Sequence, residues 1–212
     1  MIIAGADEAG RGAVLGPLVL CLACVDEDKE IELRRMGAKD SKLLSPAQRV
    51  RISKSIRTLC DLHVVHITAR ELNEEMKKHS LNEIEAMRIG NALASAGDIA
   101  TVYVDSPDPE AANFDKRIRK YYSGNARIVS EHKADFKYAI VSAASIIAKV
   151  ERDAEIERIK KELGFDFNSG YTSDEITIEF LKNNLHRKEV QHYLRIKWET
   201  VNRLAQKKIT EF

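Results

Sequence analysis

The chain has 212 residues, 44% of them hydrophobic and 32% charged. This composition excludes a collagen-like, low-complexity or disordered chain, because enough apolar surface is present to offset the conformational entropy lost on folding. The formal net charge of +1 excludes a uniformly basic nucleic-acid-binding protein, so any site for an anion or a cation has to be local.

The apolar segments and the cysteines indicate a cytoplasmic protein that does not enter a membrane. The longest apolar run, residues 13–25, is interrupted by Gly16 and Pro17 and is shorter than a membrane span of about 20 residues. The N-terminus has neither the basic segment nor the long apolar stretch of a secretory signal. Cys21 and Cys24 form a C-x-x-C, but residues three apart on a strand point to opposite faces, so we interpret them as buried core residues.

Short apolar runs typical of strands alternate along the chain with capping signals that begin helices. In chain order, the pattern predicts strands over Ile2–Ala6 and Leu18–Val25, a helix from the Ser45 cap to about Thr58, a strand over His63–Ile67, and helices beginning at Thr68 and Ser80. It then predicts a strand over Thr101–Val104, a helix near Ala111–Tyr122, a strand over Arg127–Ser130, a long helix from about Tyr138 to Leu163, and a last helical region capped by Thr172 with Glu175. The alternation favours an α/β fold with a mixed sheet flanked by helices.

The charges are unevenly distributed along the chain. Residues 182–212 contain eight basic and three acidic residues and carry +5, whereas the preceding 181 residues carry −4. A basic helical tail of this kind is able to bind a phosphate backbone. The alternative, equally compatible with charge alone, is a solvated amphipathic helix face.

Acidic residues follow or end three of the predicted strands. Asp7 and Glu8 come directly after the first strand, Asp105 ends the fourth, and Asp135 lies just beyond the fifth. Carboxylates that converge at one place of a sheet repel one another unless cations neutralise them, and hard oxygen ligands suit Mg²⁺ or Mn²⁺. Two such ions about 4 Å apart can support phosphodiester hydrolysis. Taken singly, each of these acids is more often a turn or capping residue.

Other motifs are less informative. The glycines at 5, 10, 12 and 16 match neither the dinucleotide fingerprint nor the phosphate loop. His132 has no partner in sequence that would complete a metal or nucleophile motif. Arg11 is more informative than these motifs, because the glycines on either side of it, Gly10 and Gly12, allow the backbone to approach a ligand closely.

Six short motifs stand in order along the chain. They are Ala4–Gly12 with Gly16-Pro17, Asp40–Lys42, Val104–Ser106, Glu131–Asp135, Ala144–Val150 and Gly170–Asp174. Together they resemble the motifs of the type 2 ribonuclease H family (ribonuclease HII), in a short single-domain form similar to its archaeal members. The resemblance implies the ribonuclease H-like fold in one catalytic domain, with a core over about residues 1–170 and a helical C-terminal extension over about 171–212.

The resemblance also implies an activity. The four carboxylates of the family correspond to Asp7, Glu8, Asp105 and Asp135, which would bind two Mg²⁺ or Mn²⁺ ions. The expected reaction is hydrolysis of the RNA strand of RNA–DNA hybrids, and nicking of duplex DNA on the 5′ side of a single ribonucleotide, leaving 3′-hydroxyl and 5′-phosphate ends. Removal of misincorporated ribonucleotides and of RNA primers would be its role.

The same resemblance implies how the substrate is recognised. The backbone of Gly10, Arg11 and Gly12 is expected to contact the 2′-hydroxyl at an RNA–DNA junction, and Tyr171 to pack on the next deoxyribose. Lys42 and Lys149 are expected to contact phosphates, although a structural ion pair is an alternative for each.

The C-terminal segment, residues 206–212, is similar to the peptides that bind sliding clamps. Its pattern places Gln206, Ile209 and Phe212 at the spacing of such peptides, and a helical turn would present the last two to one apolar pocket. The alternative is a frayed amphipathic terminus.

We therefore expect a monomeric metal-dependent endonuclease. A non-catalytic module that binds RNA–DNA hybrids or is recruited by a clamp is the alternative from another functional class. Another nuclease or transposase-like protein of the same fold is the alternative among enzymes.

Overall fold

The computed structural model describes residues 1–37 and 44–210, with side chains up to residue 206. Its centre is a five-stranded sheet, in the order β3 (Asp61–Ile67), β2 (Leu18–Asp26), β1 (Ile2–Ala9), β4 (Thr101–Asp105) and β5 (Arg127–Glu131). Strand β1 is antiparallel to β2 and parallel to β4, and β4 is parallel to β5, so the predicted mixed sheet is confirmed.

Ten α-helices accompany the sheet in the described part of the chain. They are α1 Glu30–Arg35, α2 Pro46–Leu59, α3 Ala69–Glu75, α4 Leu81–Ser95, α5 Ala111–Arg119, α6 Ala134–Lys137, α7 Ala139–Leu163, α8 Glu175–Asn184, α9 Lys188–Gln191 and α10 Glu199–Thr210.

The capping signals located several helix starts correctly. Ser45 and Thr68 each form a complete capping box, with Gln48 and Glu71 as the reciprocal partners. Ser80 also caps its helix by accepting a hydrogen bond from the Glu83 backbone N–H. The Glu83 carboxylate has a different role.

Glu83 is not a reciprocal partner of Ser80, because its carboxylate binds three other side chains. It lies 2.9 Å from Arg117 Nη1 and 3.0 Å from Lys120 Nζ, and it accepts a hydrogen bond from the Tyr121 hydroxyl at 2.8 Å. These donors lower the pKa of Glu83 to about 2, despite partial burial that acts in the other direction. Glu83 therefore links α4 to α5.

Several boundaries differ from the sequence prediction, and strand β3 begins at Asp61 instead of His63. Strand β1 continues to Ala9, because residues 2–9 pair with 19–26 of β2 over their whole length. Helix α5 ends at Arg119 instead of Tyr122. Helix α8 is capped by Asp174 instead of Thr172, since the Asp174 carboxylate accepts from the Ile176 N–H at 3.1 Å.

The chain divides into two compact units. The first contains residues 1–9, 19–65 and 80–151, and the second contains 10–18, 66–79 and the chain from 152 onwards. In the first, the sheet buries Val19 and Cys21 with Ala143 and Ile147 of α7. In the second, Val14, Leu15 and Phe167 are among the buried residues of a separate core. A single catalytic domain with an extension from about residue 171 stays a prediction.

The three cysteines are free and buried, as interpreted from the sequence. Burial raises the pKa of Cys24 and of Cys60 to about 12, and that of Cys21 is raised as well. None of the described helices is both long and apolar enough to cross a membrane.

Position 5 of β1 must be glycine because the backbone of α7 lies too close to leave room for a Cβ atom. A Cβ atom at this position would lie 2.4 Å from the carbonyl carbon of Ile140 and 2.5 Å from the amide nitrogen of Val141, and backbone atoms cannot move aside as a side chain can. We expect Gly5→Ala to lower the free energy of unfolding by about 2–3 kcal/mol. Chemical denaturation monitored by circular dichroism would measure this change.

Gly97→Ala is the matched control, because a Cβ atom there meets nothing within 4 Å and only the φ of +88° is unfavourable. Its expected cost is about 1 kcal/mol. A Gly5→Ala variant that is no less stable than Gly97→Ala would contradict the close contact.

Candidate active site

Two of the predicted carboxylates lie side by side on neighbouring strands. Ala6 of β1 pairs with Val104 of β4, so Asp7 and Asp105 occupy the next positions of the two parallel strands. Asp7 is only 5% exposed. Burial raises its pKa to about 6, and the charge of Asp105 acts in the same direction. The pair is therefore a site of concentrated negative charge.

Asp135 is held close to Asp105 through the backbone. It lies in the first turn of α6 and is 1% exposed. The backbone N–H of the preceding residue, Ala134, donates a hydrogen bond to Asp105 Oδ1 at 2.8 Å. Lys133 begins this helix in the left-handed conformation, with φ of 57°, which turns the chain after β5. The structure thus brings the segment of Asp135 to the end of β4.

Glu8 is next to Asp7 on β1 and is half-buried. Its backbone N–H donates to Asp7 Oδ1 at 2.7 Å, which favours the ionised form of Asp7 and lowers its pKa. The side chains of Asp7, Glu8, Asp105 and Asp135 do not close around one point: within residues 1–37 and 44–206, no three acidic, histidine or cysteine side chains are gathered as a metal site.

The chemistry of the carboxylates nevertheless fits a hard divalent cation. Two neighbouring carboxylates, one of them buried, are costly to ionise together, and the raised pKa of Asp7 expresses that cost. A cation such as Mg²⁺ or Mn²⁺ would neutralise both groups and favours carboxylate oxygens. Convergence of the side chains on the ion would complete the set.

Lys149 is a residue of α7, and its charge acts on Asp7 of β1. Its ammonium donates a hydrogen bond to the Ser145 hydroxyl one helical turn earlier. The positive charge of Lys149 and a hydrogen bond from Ser145 both lower the pKa of Asp7, against the larger effect of burial. Lys149, predicted as a phosphate contact or as part of a structural ion pair, is therefore placed where its charge stabilises a carboxylate.

Removing this cation should make Asp7 harder to ionise. We expect Lys149→Met to move the pKa of Asp7 in the metal-free protein above its value of about 6. NMR titration of the Asp7 carboxyl carbon would measure the change. Lys161→Met, at an exposed position further along the same helix, is the matched control. Identical titration of Asp7 in wild type and Lys149→Met would contradict the arrangement.

Side chains around α6 hold the Asp135 segment in place. The Tyr138 hydroxyl donates to Glu131 Oε1 at 2.9 Å, and the Tyr138 ring stacks on Tyr103 of β4 with 4.0 Å between ring centroids. Lys137 forms an ion pair with the same Glu131, and these two partners lower the pKa of that carboxyl. Asp135 is thus carried on a short helix that is fixed at both ends.

Helix α1, which the sequence pattern did not predict, contributes to the same region. Glu30 Oε1 accepts a hydrogen bond from the Ala139 N–H at 3.2 Å, at the start of α7. Arg34 donates to the Lys137 carbonyl at 3.2 Å. Only Leu33 of α1 is buried, so the segment shows no apolar periodicity by which sequence reasoning could have found it.

The glycine-containing loop at residues 10–17 belongs to the second compact unit. Gly10 has φ of +88°, a conformation that favours glycine. The loop is bonded on one side to Gly170, whose carbonyl accepts from the Val14 N–H at 2.8 Å, and on the other to Tyr193, whose carbonyl accepts from the Gly16 N–H at 2.9 Å. Both partners are far away in sequence, so the loop is held by tertiary contacts.

Tyr171 lies beside this loop. A Cβ atom built on Gly12 would be 4.0 Å from Tyr171 Cδ1, and residue 13 forms an isolated antiparallel bridge with residue 171. The guanidinium of Arg152 lies over the Tyr171 ring, 4.5 Å from its centroid. The structure thus places Tyr171 next to Gly12, at the end of the Gly10–Gly12 segment.

Two buried arginines of this region were not identified from the sequence. Arg152 is 3% exposed and Arg195 is fully buried. Burial lowers the pKa of Arg152, whose Nη2 donates to the Ser169 carbonyl at 2.9 Å. Arg195 was counted only as part of the basic tail, because a single sequence does not distinguish a buried arginine from an exposed one.

Other predicted residues are placed as follows. Lys42 and Phe212 lie outside the described residues, as does the side chain of Ile209. Gln206 is exposed on α10. His132 has its ring nitrogen Nε2 3.1 Å from the Pro109 carbonyl oxygen, which gives it a structural hydrogen bond.

Comparisons of the sequence with known proteins give the same family over almost the whole chain. The sequence profile described as Ribonuclease HII matches residues 4–201. The Ribonuclease HII of Archaeoglobus fulgidus is 43% identical over 211 residues, which cover 99% of this chain and 99% of that protein.

Solved structures are similar as well. The structure of the PCNA:RNase HII complex from A. fulgidus matches with a TM-score of 0.88 and 40% identity, over 99% of this chain and 100% of that one. Bst-RNase HIII in complex with Mn²⁺ matches with a TM-score of 0.83 at 19% identity, over 97% of this chain and 70% of that one, and shares the fold.

Proposed function

This chain belongs to the ribonuclease HII family, and we propose its substrates from that premise. Members of the family are hydrolases that cleave RNA internally, and this chain has their ribonuclease H-like fold. It hydrolyses the RNA strand of RNA–DNA hybrids and nicks duplex DNA 5′ of a single ribonucleotide, leaving 3′-hydroxyl and 5′-phosphate ends. The observation that carries the proposal is the pair of neighbouring carboxylates, Asp7 and Asp105, with Asp7 buried and its pKa raised to about 6.

In this proposal the carboxylates of Asp7, Glu8, Asp105 and Asp135 hold two Mg²⁺ or Mn²⁺ ions. When bound, such ions activate a water molecule and stabilise the leaving oxygen of the phosphodiester. Neighbouring groups of the chain stabilise and orient these carboxylates. Lys149 favours the ionised form of Asp7, and the Ala134 N–H orients Asp105. No side-chain nucleophile is needed.

Recognition in this proposal depends on the loop and on Tyr171. Because only the 2′-hydroxyl distinguishes RNA from DNA at one nucleotide, backbone groups of Gly10, Arg11 and Gly12 bind that hydroxyl. The ring of Tyr171 packs on the following sugar and favours a deoxyribose there, so that an RNA–DNA junction is preferred to continuous RNA. Lys42 contacts a phosphate of the same substrate.

The test is cleavage of a DNA duplex that contains one ribonucleotide, with Mg²⁺ or Mn²⁺ supplied. We expect a single nick 5′ of the ribonucleotide and no cut in the same duplex made only of DNA. Ligation of the product by DNA ligase would establish the 3′-hydroxyl and 5′-phosphate ends. Tight binding without a nick would favour the non-catalytic alternative, and cleavage of the all-DNA duplex would favour another nuclease of this fold.

A second part of the proposal concerns the C-terminal segment. The A. fulgidus relative was solved in complex with PCNA, and α10 runs through Gln206 to Thr210 of this chain. We propose that Gln206, Ile209 and Phe212 bind an archaeal sliding clamp. Truncation after Ala205 should abolish capture by immobilised archaeal PCNA and leave cleavage of short duplexes unchanged, with Lys207→Ala as the control that retains binding.

A further inference from the structure

We propose that Arg195 and Arg152 are positioning residues that fix the two parts of the junction-binding surface: Arg195 orients the peptide groups of the Gly10–Gly12 loop, and Arg152 supports the Tyr171 ring. This inference rests on the proposed function, because it assigns these residues a role in selecting a ribonucleotide. Neither residue touches substrate, since both are buried.

Arg195 binds the loop through three carbonyl oxygens. Its Nη1 donates to the Gly10 carbonyl at 2.7 Å and to the Arg11 carbonyl at 3.2 Å, and its Nε donates to the Gly16 carbonyl at 3.0 Å. The planar guanidinium presents its donors in a rigid fork, which a flexible ammonium cannot reproduce. One side chain therefore fixes two consecutive peptide groups of the loop.

The direction of those peptide groups determines where the loop amides point. In a planar trans peptide, the carbonyl of one residue and the N–H of the next point in opposite directions. Because the carbonyls of Gly10 and Arg11 point at the buried guanidinium, the N–H groups of Arg11 and Gly12 point to the opposite side. That orientation allows the backbone to donate hydrogen bonds to a ligand.

The burial of Arg195 supports this role. A guanidinium with no exposed surface is costly to bury, and an apolar side chain of similar size would fill the same space at a lower cost. The ring of Trp198 lies 5.0 Å from the guanidinium carbon and covers it. What a buried apolar residue could not supply is the fixed direction of the loop carbonyls.

Arg152 supports the second part of the surface. Its guanidinium lies over the Tyr171 ring at 4.5 Å and is anchored by the Ser169 carbonyl at 2.9 Å. A Cβ atom on Gly10 would lie only 2.4 Å from Arg152 Nε, so the glycine also permits this packing. The ring is thus held on one face by a fixed cation, and its position beside Gly12 is defined.

The experiment measures discrimination, which a loss of stability alone would not change. Each protein is titrated, with Ca²⁺ present to prevent cleavage, against a labelled duplex containing one ribonucleotide and against the same duplex made only of DNA. For Arg195→Lys we expect the ratio of the two dissociation constants to move about fivefold or more towards one, with the affinity for all-DNA duplex within about twofold of wild type. For Arg152→Lys we expect the ratio of the two dissociation constants to move towards one as well, but by less than for Arg195→Lys.

Arg119→Lys is the matched control, because Arg119 also binds two loop carbonyls, those of Gly124 and Ala126, and lies near a tyrosine ring, that of Tyr122. It should leave the ratio unchanged. Circular dichroism at the assay temperature verifies folding, and if Arg195→Lys does not fold, Arg152→Lys decides the question. A folded variant that retains the wild-type ratio overturns the inference, whereas a wild-type protein without discrimination overturns the proposed function instead.

Discussion

Asp7→Asn is expected to abolish cleavage and, at the same time, to make the metal-free protein more stable. The amide cannot serve as an anionic ligand, so activity should fall at least about 1,000-fold. It also removes the cost of a buried negative charge beside Asp105, which a pKa raised from 3.8 to about 6 places at about 3 kcal/mol near neutral pH. For a chain of this size the melting temperature should rise by roughly 6–12 °C in EDTA.

The gain in stability should depend on pH in a defined direction. The pKa of Asp7 is about 6 in the folded protein and 3.8 ordinarily, so between these values the folded state retains a proton that the unfolded state has lost. Asp7 therefore lowers the free energy of unfolding progressively as pH rises from about 4 to about 6, and by a constant amount above that range. The difference between Asp7→Asn and wild type should be small at pH 4.5 and full at pH 7.5.

Thermal unfolding of both proteins at these two pH values measures the effect. Asp98→Asn, at an exposed position before β4, is the control and should change neither activity nor melting temperature. Added Mn²⁺ should stabilise wild type more than Asp7→Asn. An Asp7→Asn variant that is inactive but no more stable than wild type in EDTA at pH 7.5 would contradict the unfavourable burial of this charge.

Local signals were sufficient to predict most of the fold. The strands were found because branched apolar residues cluster in short runs, and the caps at Ser45, Thr68 and Ser80 are decided within four residues of chain. Helices α1 and α6 were missed because one has a single buried apolar residue and the other is one turn long. Asp174 replaced Thr172 as a cap because its carboxylate also binds Ser169, a contact that only the folded chain creates.

The candidate site was predictable only in part for the same reason. The acidic residues could be identified because they stand at strand ends, and their roles came from the family resemblance. Lys149 was identified from the sequence, with a phosphate contact or a structural ion pair as its two alternatives. Its position against Asp7, and that of Ser145, could not be predicted because both depend on how α7 packs on the sheet. The sequence likewise gives no sign that Arg152 and Arg195 differ from exposed arginines, whereas the structure shows that both are buried.

Tyr171→Ala is expected to damage the choice of substrate more than the reaction itself. The backbone around residue 171 is held by the bridge to residue 13 and by the Gly170 carbonyl, so loss of the ring should leave the loop in place. Loss of ring packing on a sugar costs about 1–2 kcal/mol of binding. We therefore expect kcat/KM on a duplex with one ribonucleotide to fall about 5–30-fold, and on a long RNA–DNA hybrid to fall less than about threefold.

Tyr171→Phe separates the ring from its hydroxyl. Because the proposed contact uses the face of the ring, and the opposite face rests on the Arg152 guanidinium, the phenylalanine variant should retain the wild-type preference. Equal losses on both substrates in Tyr171→Ala would show that the ring supports the reaction generally instead of selecting the junction. A loss in Tyr171→Phe as large as in Tyr171→Ala would show that the hydroxyl makes the contact, since both variants keep the backbone bonds that hold the loop.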